Sequence, residues 1–338
     1  MIKAIISGTR QAELVEVPQP RAKADWVVVK VHVAPMCTEY KAFCEGWQCN
    51  QLGHEAAGEV VEVAQPGCVE VGDRVVVMPL SACGKCPLCA AGEYIHCQNC
   101  IDYESFHGTA EGQGTYVQYL LKQDWLLPKI PEGVSYEKAS LACCGLGPSF
   151  GAMQAMQVSC FDSILITGLG PVGLGAIVNA TYRGARIIAV ESVPWRVQRA
   201  HRMGVEHVLD PFDEGTFARI MELTGGVGVD CALDCSGTVA AERLCIDTAR
   251  RKGQVTFIGE CNDPVSIWTS NDLIRKGLTV RGSWHYNLAD FSKIMQIIER
   301  SSIIDKLVSH VLPMSDIQKA LELSATKETA KILLKPWE

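Results

Sequence analysis

The sequence contains no run of lysine or arginine, and acidic side chains outnumber basic ones by 38 to 31, for a net charge of −7. A nucleic-acid-binding surface or a polybasic membrane anchor requires concentrated positive charge. The charge pattern therefore predicts no nucleic acid and no membrane among the partners, and it favours a small-molecule substrate.

The N-terminus also lacks the long apolar core and cleavage site of a secretory signal. Residues 1–17 instead alternate apolar and polar side chains about Gly8-Thr9, which is typical of a β-hairpin and indicates a cytoplasmic protein. Charge is scarce between residues 139 and 182, where only Asp162 is charged. Repeated glycines, prolines and polar residues exclude a membrane span there, and we expect a buried strand with flanking loops.

Without a secretory signal, the 16 cysteines are not expected to form a disulfide framework, because thiols stay reduced in the cytosol. Four of them have the spacing C-x2-C-x2-C-x7-C: Cys83, Cys86, Cys89 and Cys97. Four thiolates this close suit a closed tetrahedral zinc site of structural type. An iron–sulfur cluster and free buried cysteines are the alternatives that the spacing leaves open.

A second candidate metal site is more dispersed. Gly53-His54-Glu55 precedes a valine-rich strand, and Cys37 follows an earlier one. These side chains are of the types that hold a catalytic zinc with one open position. Taken alone, however, a histidine before a strand is more often a loop or packing residue, and a lone cysteine is usually a core residue.

A glycine-rich loop indicates dinucleotide binding. Strand Ile164–Thr167 runs into Gly168-Leu169-Gly170-Pro171-Val172-Gly173, and an apolar helix follows. Such glycines let the backbone approach a pyrophosphate at the helix N-terminus. Glu191 ends the next strand, where a carboxylate accepts hydrogen bonds from the ribose of NAD and repels the 2′-phosphate of NADP. Arg196 is either a neighbour of that ribose or a surface arginine.

The order of elements predicts an α/β protein of two domains. Short valine-rich segments dominate up to about residue 138, and from residue 162 onward strands alternate with helices through 279–282. Helices near 288–300 and 315–324 and a strand at 331–334 complete the pattern.

Together these motifs resemble the zinc-containing medium-chain dehydrogenases, which include alcohol, sorbitol and threonine dehydrogenases. The resemblance spans essentially the whole chain and includes the segment 53–60 and the Gly72-Asp73-Arg74-Val75 turn. It implies a GroES-like, β-rich catalytic domain at 1–144 with a zinc lobe at 83–100. A Rossmann NAD-binding domain with a doubly wound parallel sheet would follow at 145–283, and a return segment at 284–338 would complete the catalytic domain, with the active site in the cleft.

The resemblance also implies roles for particular residues. Cys37 and His54 would bind the catalytic zinc, with Glu55 as a ligand or a neighbour of the ligands. Counting back from Phe150-Gly151 places a further ligand at Cys144, with the adjacent Cys143 as the alternative. The zinc would lower the pKa of the bound alcohol, which then releases a hydride to the nicotinamide.

The sequence departs from the family at two positions. Family members commonly carry Ser or Thr two residues after the cysteine ligand and a relay histidine beyond it, whereas this chain has Glu39 and Ala42. We hypothesise that Glu39 accepts the alcohol proton or binds a substrate hydroxyl. The alternative is an exposed Glu39 with Thr38 as the proton relay.

The sequence therefore predicts a zinc-dependent, NAD-linked oxidoreductase for a secondary alcohol or polyol. The resemblance implies a homodimer or homotetramer formed through an edge strand of the Rossmann sheet. Two alternatives stay open: a zinc and NAD enzyme with a non-redox net outcome, such as epimerisation or elimination, and a non-catalytic zinc-stabilised binding protein on the same scaffold.

Overall fold

The computed structural model describes residues 1–338, which divide into two compact units. The N-terminal unit comprises Met1–Gly145, Asn287–Arg300 and Val308–Glu338. The central unit comprises Leu146–Tyr286 and Ser301–Leu307. Both chain ends therefore fold into one unit, and the middle of the chain forms the other.

Fourteen strands build the sheets. In chain order they are β1 Ile2–Gly8, β2 Gln11–Glu16, β3 Trp26–Pro35, β4 Ala56–Glu62, β5 Arg74–Val77, β6 Tyr119–Gln123, β7 Ser163–Thr167, β8 Arg186–Val190, β9 His207–Leu209, β10 Val229–Asp234, β11 Ala249–Phe257, β12 Thr279–Gly282, β13 Val308–Pro313 and β14 Lys331–Lys335.

Eleven α-helices connect or cover the strands. They are α1 Tyr40–Glu45, α2 Pro87–Ala90, α3 Tyr103–His107, α4 Tyr136–Ser140, α5 Gly147–Met156, α6 Pro171–Arg183, α7 Pro194–Arg202, α8 Thr216–Leu223, α9 Val239–Thr248, α10 Phe291–Arg300 and α11 Ile317–Ala325. Shorter 3-10 turns lie at Tyr94–His96, Asp124–Leu126, Leu288–Asp290, Ile304–Leu307 and Met314–Asp316, and a π-helical turn lies at Thr269–Ile274.

The N-terminal unit is organised around β3. The strand order is β13-β14-β3-β4-β5, with β6 also paired to β3, and every partner of β3 is antiparallel to it. Most of β3 is buried on both faces, which explains its nearly continuous run of valines. Strands β1 and β2 form the predicted N-terminal hairpin. The sheet thus supplies a rigid support for the loops that leave β3 and enter β4.

The central unit is the predicted doubly wound parallel sheet. Its order is β12-β11-β10-β7-β8-β9, and all neighbours are parallel. The chain winds outward from β7 through β8 and β9, and then returns to continue from β10 on the other side. In such sheets ligands bind at the carboxyl ends of the strands, where the winding direction reverses.

The expectation of loops around the buried strand within 139–182 is wrong in part, because helix α5 lies there as well as β7. A proline in its first turn, Pro148, is compatible with a helix start. Gly151, which suggests a loop from sequence alone, faces a close contact: a Cβ there would lie 2.1 Å from the His285 carbonyl oxygen. The glycine therefore permits packing within the unit and does not break the helix. No helix of the structure is long and apolar enough to cross a membrane.

Candidate active site and metal centres

The four closely spaced cysteines lie together in the N-terminal unit. The Sγ atoms of Cys83, Cys86, Cys89 and Cys97 are all within 4.8 Å of one another. Backbone N–H groups donate to these sulfurs, including Cys83 N to Cys97 Sγ at 3.2 Å and Cys86 N to Cys83 Sγ at 3.3 Å. Hydrogen bonds of this kind stabilise thiolates.

The pKa values of neighbouring thiols in this cluster are shifted in opposite directions. The backbone N–H of Cys89 lowers the pKa of Cys86 to about 6, whereas burial raises the pKa of Cys89 to about 12. Four thiolates this close repel one another unless a metal ion neutralises them. Four sulfur ligands with no open position fit a structural zinc ion.

A second cluster joins three separate parts of the same unit. Cys37 follows β3, His54 and Glu55 precede β4, and Cys144 follows α4, yet their ligand atoms lie within 4.8 Å of one another. The neighbouring Cys143 lies outside the cluster, because its buried Sγ donates to the Val77 carbonyl oxygen at 3.4 Å. Two thiols, an imidazole and a carboxylate are a donor set suited to catalytic zinc.

Gly53 allows His54 to reach this position. Its φ is +81°, in the left-handed region that most other residues avoid. A Cβ on Gly53 would lie 2.3 Å from Thr115 Oγ1 and 2.5 Å from the ring of Tyr116. Any other residue would therefore displace the loop that carries the histidine.

Glu39 holds the imidazole of His54. Its Oε1 is 3.1 Å from His54 Nδ1, and its Oε2 accepts hydrogen bonds from Cys37 N at 2.8 Å and from the Tyr116 hydroxyl at 2.9 Å. The other ring nitrogen, Nε2, lies 3.3 Å from Cys144 Sγ. A carboxylate on the far nitrogen of a histidine ligand fixes its tautomer and orientation.

This arrangement favours a positioning role for Glu39 over the hypothesised acceptance of the alcohol proton, because protein donors engage both of its oxygens. Thr38 is exposed, so the alternative relay residue is accessible. Tyr116, which supports Glu39, was not identified from the sequence. The aromatic and β-branched residues of 115–117 are typical of a strand and give no signal for a contact 77 residues away.

Glu55 is paired with a residue that sequence reasoning missed. Its Oε1 accepts from Lys331 Nζ at 2.5 Å, and both side chains are fully buried. Lys331 also donates to the Met36 carbonyl oxygen at 3.1 Å, and Glu55 Oε2 accepts from Cys144 N at 3.1 Å. Glu55 thus has a hydrogen-bond partner on each oxygen. This favours a supporting role beside the three other candidate ligands over direct coordination of the metal.

The electrostatics of this cluster also favour a cation. Burial opposes protonation of His54, but hydrogen bonds with Cys37 and Glu39 raise its pKa to about 11. Burial acts against the charged form of Glu39 too, yet its contacts with His54 hold the pKa at about 2. Burial raises the pKa of Glu55 to about 7. An imidazole surrounded by acidic groups in this way sits where positive charge is favoured.

The predicted dinucleotide loop lies at the carboxyl end of β7 in the central unit. Gly168 has a φ of +78°, Gly170 precedes α6, and Val172 and Gly173 lie in its first turn. No side chain caps this helix, so its first N–H groups are available to a pyrophosphate. A Cβ on Gly173 would lie 1.9 Å from the Gly168 carbonyl oxygen, so loop and helix pack directly.

Glu191 lies beside this loop. Its Oε2 accepts from Leu169 N at 2.7 Å, and its Oε1 accepts from the backbone N–H groups of Ser192 and Val193. Arg196 Nη1 is 3.7 Å from the same carboxylate, and the buried Arg196 Nε has no partner. The structure therefore brings together the loop, Glu191 and Arg196, and this set fits NAD.

Comparison with known proteins gives two family matches. Residues 23–132 match the model described as "Alcohol dehydrogenase GroES-like domain", and residues 171–300 match the model described as "Zinc-binding dehydrogenase". These segments contain Cys37, His54, Glu55, all four cysteines of the first cluster, and Glu191.

Individual proteins are similar over nearly the full length. An L-threonine 3-dehydrogenase of Pyrococcus abyssi is 32% identical, covering 95% of this chain and 94% of its own. A sorbitol dehydrogenase of Halalkalibacterium halodurans is 28% identical, covering 99% of both chains. Among solved structures, the alcohol dehydrogenase TADH from Thermus sp. ATN1 has a TM-score of 0.89 at 27% identity, covering 99% of both chains.

Proposed function

This chain belongs to the zinc-binding alcohol dehydrogenase family, and we propose that it oxidises a secondary alcohol or polyol with NAD as the hydride acceptor. The observation that carries the proposal is the convergence of Cys37, His54, Glu55 and Cys144 on one point. A purely structural scaffold has no need of this second set, because the four-cysteine cluster already stabilises the unit.

The protein side chains have separable tasks in this proposal. Cys37, His54 and Cys144 hold the zinc, while Glu39 orients His54 and Lys331 neutralises Glu55. When bound, zinc supplies a Lewis acid for the alcohol oxygen and NAD supplies the hydride acceptor. The exposed Thr38 hydroxyl relays the alcohol proton, receiving it while its own proton passes to solvent, because Glu39 already receives hydrogen bonds on both oxygens.

The relatives support the substrate class. Their names specify sorbitol, a polyol, and L-threonine oxidised at position 3, and both substrates carry a secondary hydroxyl group. We infer from this a secondary alcohol or polyol for the present chain. Glu191 supports NAD over NADP, because a carboxylate at that strand end disfavours a 2′-phosphate.

We further infer a cytoplasmic homodimer or homotetramer. None of the 16 cysteines forms a disulfide, which suits a reducing compartment. Strand β12 is the last strand at one side of the central sheet, and the exposed apolar side chains of Trp268 and Ile274 come shortly before it. An open strand edge with apolar neighbours suits pairing with a second copy.

The test combines metal analysis with NADH formation on a panel of secondary alcohols, polyols and hydroxy acids. We expect about two zinc ions per chain in the wild type. In Cys144→Ser we expect about one zinc ion and no NADH formation, because a ligand of the catalytic site is lost. Cys143→Ser is the matched control, since its neighbouring sulfur lies outside the cluster and should leave both properties unchanged.

Two outcomes would contradict the proposal. Equal metal content and activity in Cys144→Ser and the wild type would show that the second cluster binds no catalytic metal. A wild-type protein that holds both zinc ions but forms no NADH with any alcohol would not be an alcohol dehydrogenase.

A further inference from the structure

A cavity of about 280 Å³ lies within the N-terminal unit beside His54. Its wall continues from Gly53 and His54 past Thr115 to Lys122, so it starts at the second metal cluster and extends away from it. This volume lies just below the range of about 300–1,000 Å³ for drug-sized ligands. The cavity therefore suits a small substrate.

Two polar groups in the cavity wall lack partners. Thr115 Oγ1 is buried and makes no hydrogen bond, and the same is true of Gln51 Nε2. The orientation of the Gln51 amide is fixed, because its Oε1 accepts from Gly114 N at 3.2 Å. Buried polar groups are almost always satisfied in folded proteins, so two unpaired groups in one cavity wall favour a ligand that completes their hydrogen bonds.

The charge of the cavity wall has one sign. Lys122 is its only lysine, no arginine accompanies it, and the wall contains no aspartate or glutamate. Lys122 is 7% exposed and makes no salt bridge, and its Nζ donates to the Leu80 carbonyl oxygen. Burial without a counter-charge lowers the pKa of Lys122 to about 7. A buried ammonium is stabilised by an anion that binds beside it.

The carbonyl oxygen that Lys122 contacts belongs to an unusual backbone position. Leu80 has a φ of +66°, a conformation that costs free energy for a residue other than glycine. Leu80 also forms part of the cavity wall, next to Ser81. The hydrogen bond to Leu80 also allows a purely structural role, in which Lys122 only stabilises this turn. Kinetics of Lys122 variants distinguish that role from substrate binding.

We propose that this cavity binds the anionic end of the alcohol substrate, so that Lys122 selects a hydroxy acid or a phosphorylated polyol. The inference rests on the proposed dehydrogenase function, because it places the oxidised hydroxyl group at the His54 end. Lys122 pairs with the carboxylate or phosphate, and Thr115 and Gln51 donate to oxygens of the same substrate. The wall has no acidic side chain that could bind the ammonium group of an amino alcohol.

The experiment compares three probes that differ at one end: glucitol, gluconate and glucitol 6-phosphate. We expect kcat/KM for an anionic probe to exceed that for glucitol by about 10- to 100-fold, because a hydrogen bond to a charged group supplies that difference. The preferred anionic probe identifies the head group as carboxylate or phosphate. In Lys122→Met the KM for that probe should rise by a similar factor and the preference over glucitol should disappear, because the ammonium contacts only an anionic end.

Two further variants serve as controls. Lys122→Arg keeps the charge and should retain a preference for the anion. Thr115→Val removes a hydroxyl without removing charge, so it should weaken charged and neutral probes alike. A structural role for Lys122 would instead lower thermal stability and impair all three probes equally, and that result would overturn the proposal, as would a wild type that prefers glucitol.

Failure of the dehydrogenase function gives a different result. If no probe yields NADH, calorimetric titration of gluconate and glucitol 6-phosphate into the zinc-loaded wild type still tests the cavity. Binding that is lost in Lys122→Met and kept in Lys122→Arg would support the anion site and refute only the reaction. Absence of binding by both anions would refute the site. Should Lys122→Met fail to fold, the wild-type preference and Lys122→Arg decide the question.

Discussion

At the scale of single residues, Glu39 has the most direct influence on the second metal cluster. It replaces the hydroxyl-bearing residue that family members commonly place two positions after the cysteine ligand. Its carboxylate contacts His54 on one oxygen and Cys37 N and Tyr116 on the other. In the proposed function Glu39 therefore positions the histidine and does not relay the proton.

Replacing Glu39 should weaken zinc binding at that cluster. In Glu39→Ala the imidazole loses the acceptor of its Nδ1, and zinc affinity should fall by about 10- to 100-fold. Competition with a chromogenic chelator measures this affinity. Glu39→Gln should be intermediate, because an amide oxygen still accepts from Nδ1, and the exposed Glu45→Ala at the end of α1 is the matched control.

Thr38→Ala separates positioning from proton transfer. It should keep zinc affinity and lower kcat, because the proposed relay hydroxyl is removed while the ligands stay in place. If Glu39→Ala instead retained its zinc and lost activity while Thr38→Ala stayed active, Glu39 would be the proton acceptor.

The buried pair of Glu55 and Lys331 should contribute strongly to stability. Lys331→Met leaves a fully buried carboxylate without its ammonium, so the free energy of unfolding should fall by about 3–5 kcal/mol. Urea denaturation followed by circular dichroism measures the change. Lys335→Met is a matched control in the same strand, because the pair of Lys335 with Glu137 is partly exposed and should change stability by about 1 kcal/mol or less.

The double variant Glu55→Gln, Lys331→Met tests the cause. It removes both charges and should recover much of the stability lost in the single variant. A double variant as unstable as Lys331→Met would show that packing, and not charge, explains the loss.

At the scale of elements, the turn between β7 and α6 contains one glycine needed for cofactor binding and another needed for folding. A Cβ on Gly170 would meet nothing nearer than Arg196 Nη1 at 3.8 Å, whereas a Cβ on Gly173 would lie 1.9 Å from the Gly168 carbonyl oxygen. A side chain at Gly170 would therefore not disturb the fold, but it would lie where a pyrophosphate must approach the backbone. Gly173 is required by the packing of the helix on the loop.

Alanine substitutions at these glycines should therefore differ. Gly170→Ala should leave the melting temperature of the cofactor-free protein unchanged and raise the NADH dissociation constant by about tenfold or more, since the methyl group blocks the pyrophosphate. Gly173→Ala should lower the free energy of unfolding by about 1–3 kcal/mol. Fluorescence titration and thermal unfolding measure the two properties. Unchanged NADH binding in Gly170→Ala would exclude this loop as the cofactor site.

Local sequence patterns predicted most of the fold. The strands β7 to β10 and the helices α6 and α7, with their alternating periodicity and glycine turn, were predictable because each is specified by neighbouring residues. Helix α5 was not, because Gly147 and Gly151 suggest a loop until the contact with His285 is known. Strand β13 also lacked a signal, since it has no fully buried residue.

The difference between local patterns and long-range contacts also explains which residues of the candidate site were predicted. The four cysteines and the glycine loop lie close together in sequence, so their spacing indicates their chemistry. Lys331 and Tyr116 act on residues 276 and 77 positions away, and no spacing rule connects such pairs. Contacts at this separation depend on the tertiary fold, which a single sequence does not reveal.

At the scale of the whole molecule, the two edge strands of the central sheet differ in the exposed apolar side chains that lie near them in the sequence. Strand β12 ends one side and β9 ends the other. Ile274 and Trp268, exposed by 71% and 69%, precede β12, and Phe212, exposed by 83%, follows β9. An open strand edge exposes unpaired backbone groups, and apolar side chains near it gain most from burial against a second copy.

Light scattering should therefore give a mass at least twice the 36.8 kDa of one chain. Ile274→Asp places a charge next to the β12 edge, and it should shift the protein toward the monomer because burying an unpaired carboxylate in an interface is unfavourable. Phe212→Asp is the matched control at the opposite side of the sheet and should leave the mass unchanged. If Phe212→Asp dissociates the protein and Ile274→Asp does not, assembly uses the β9 side. A wild type that stays monomeric at high concentration would mean that β12 is a free edge, with its exposed side chains in solvent.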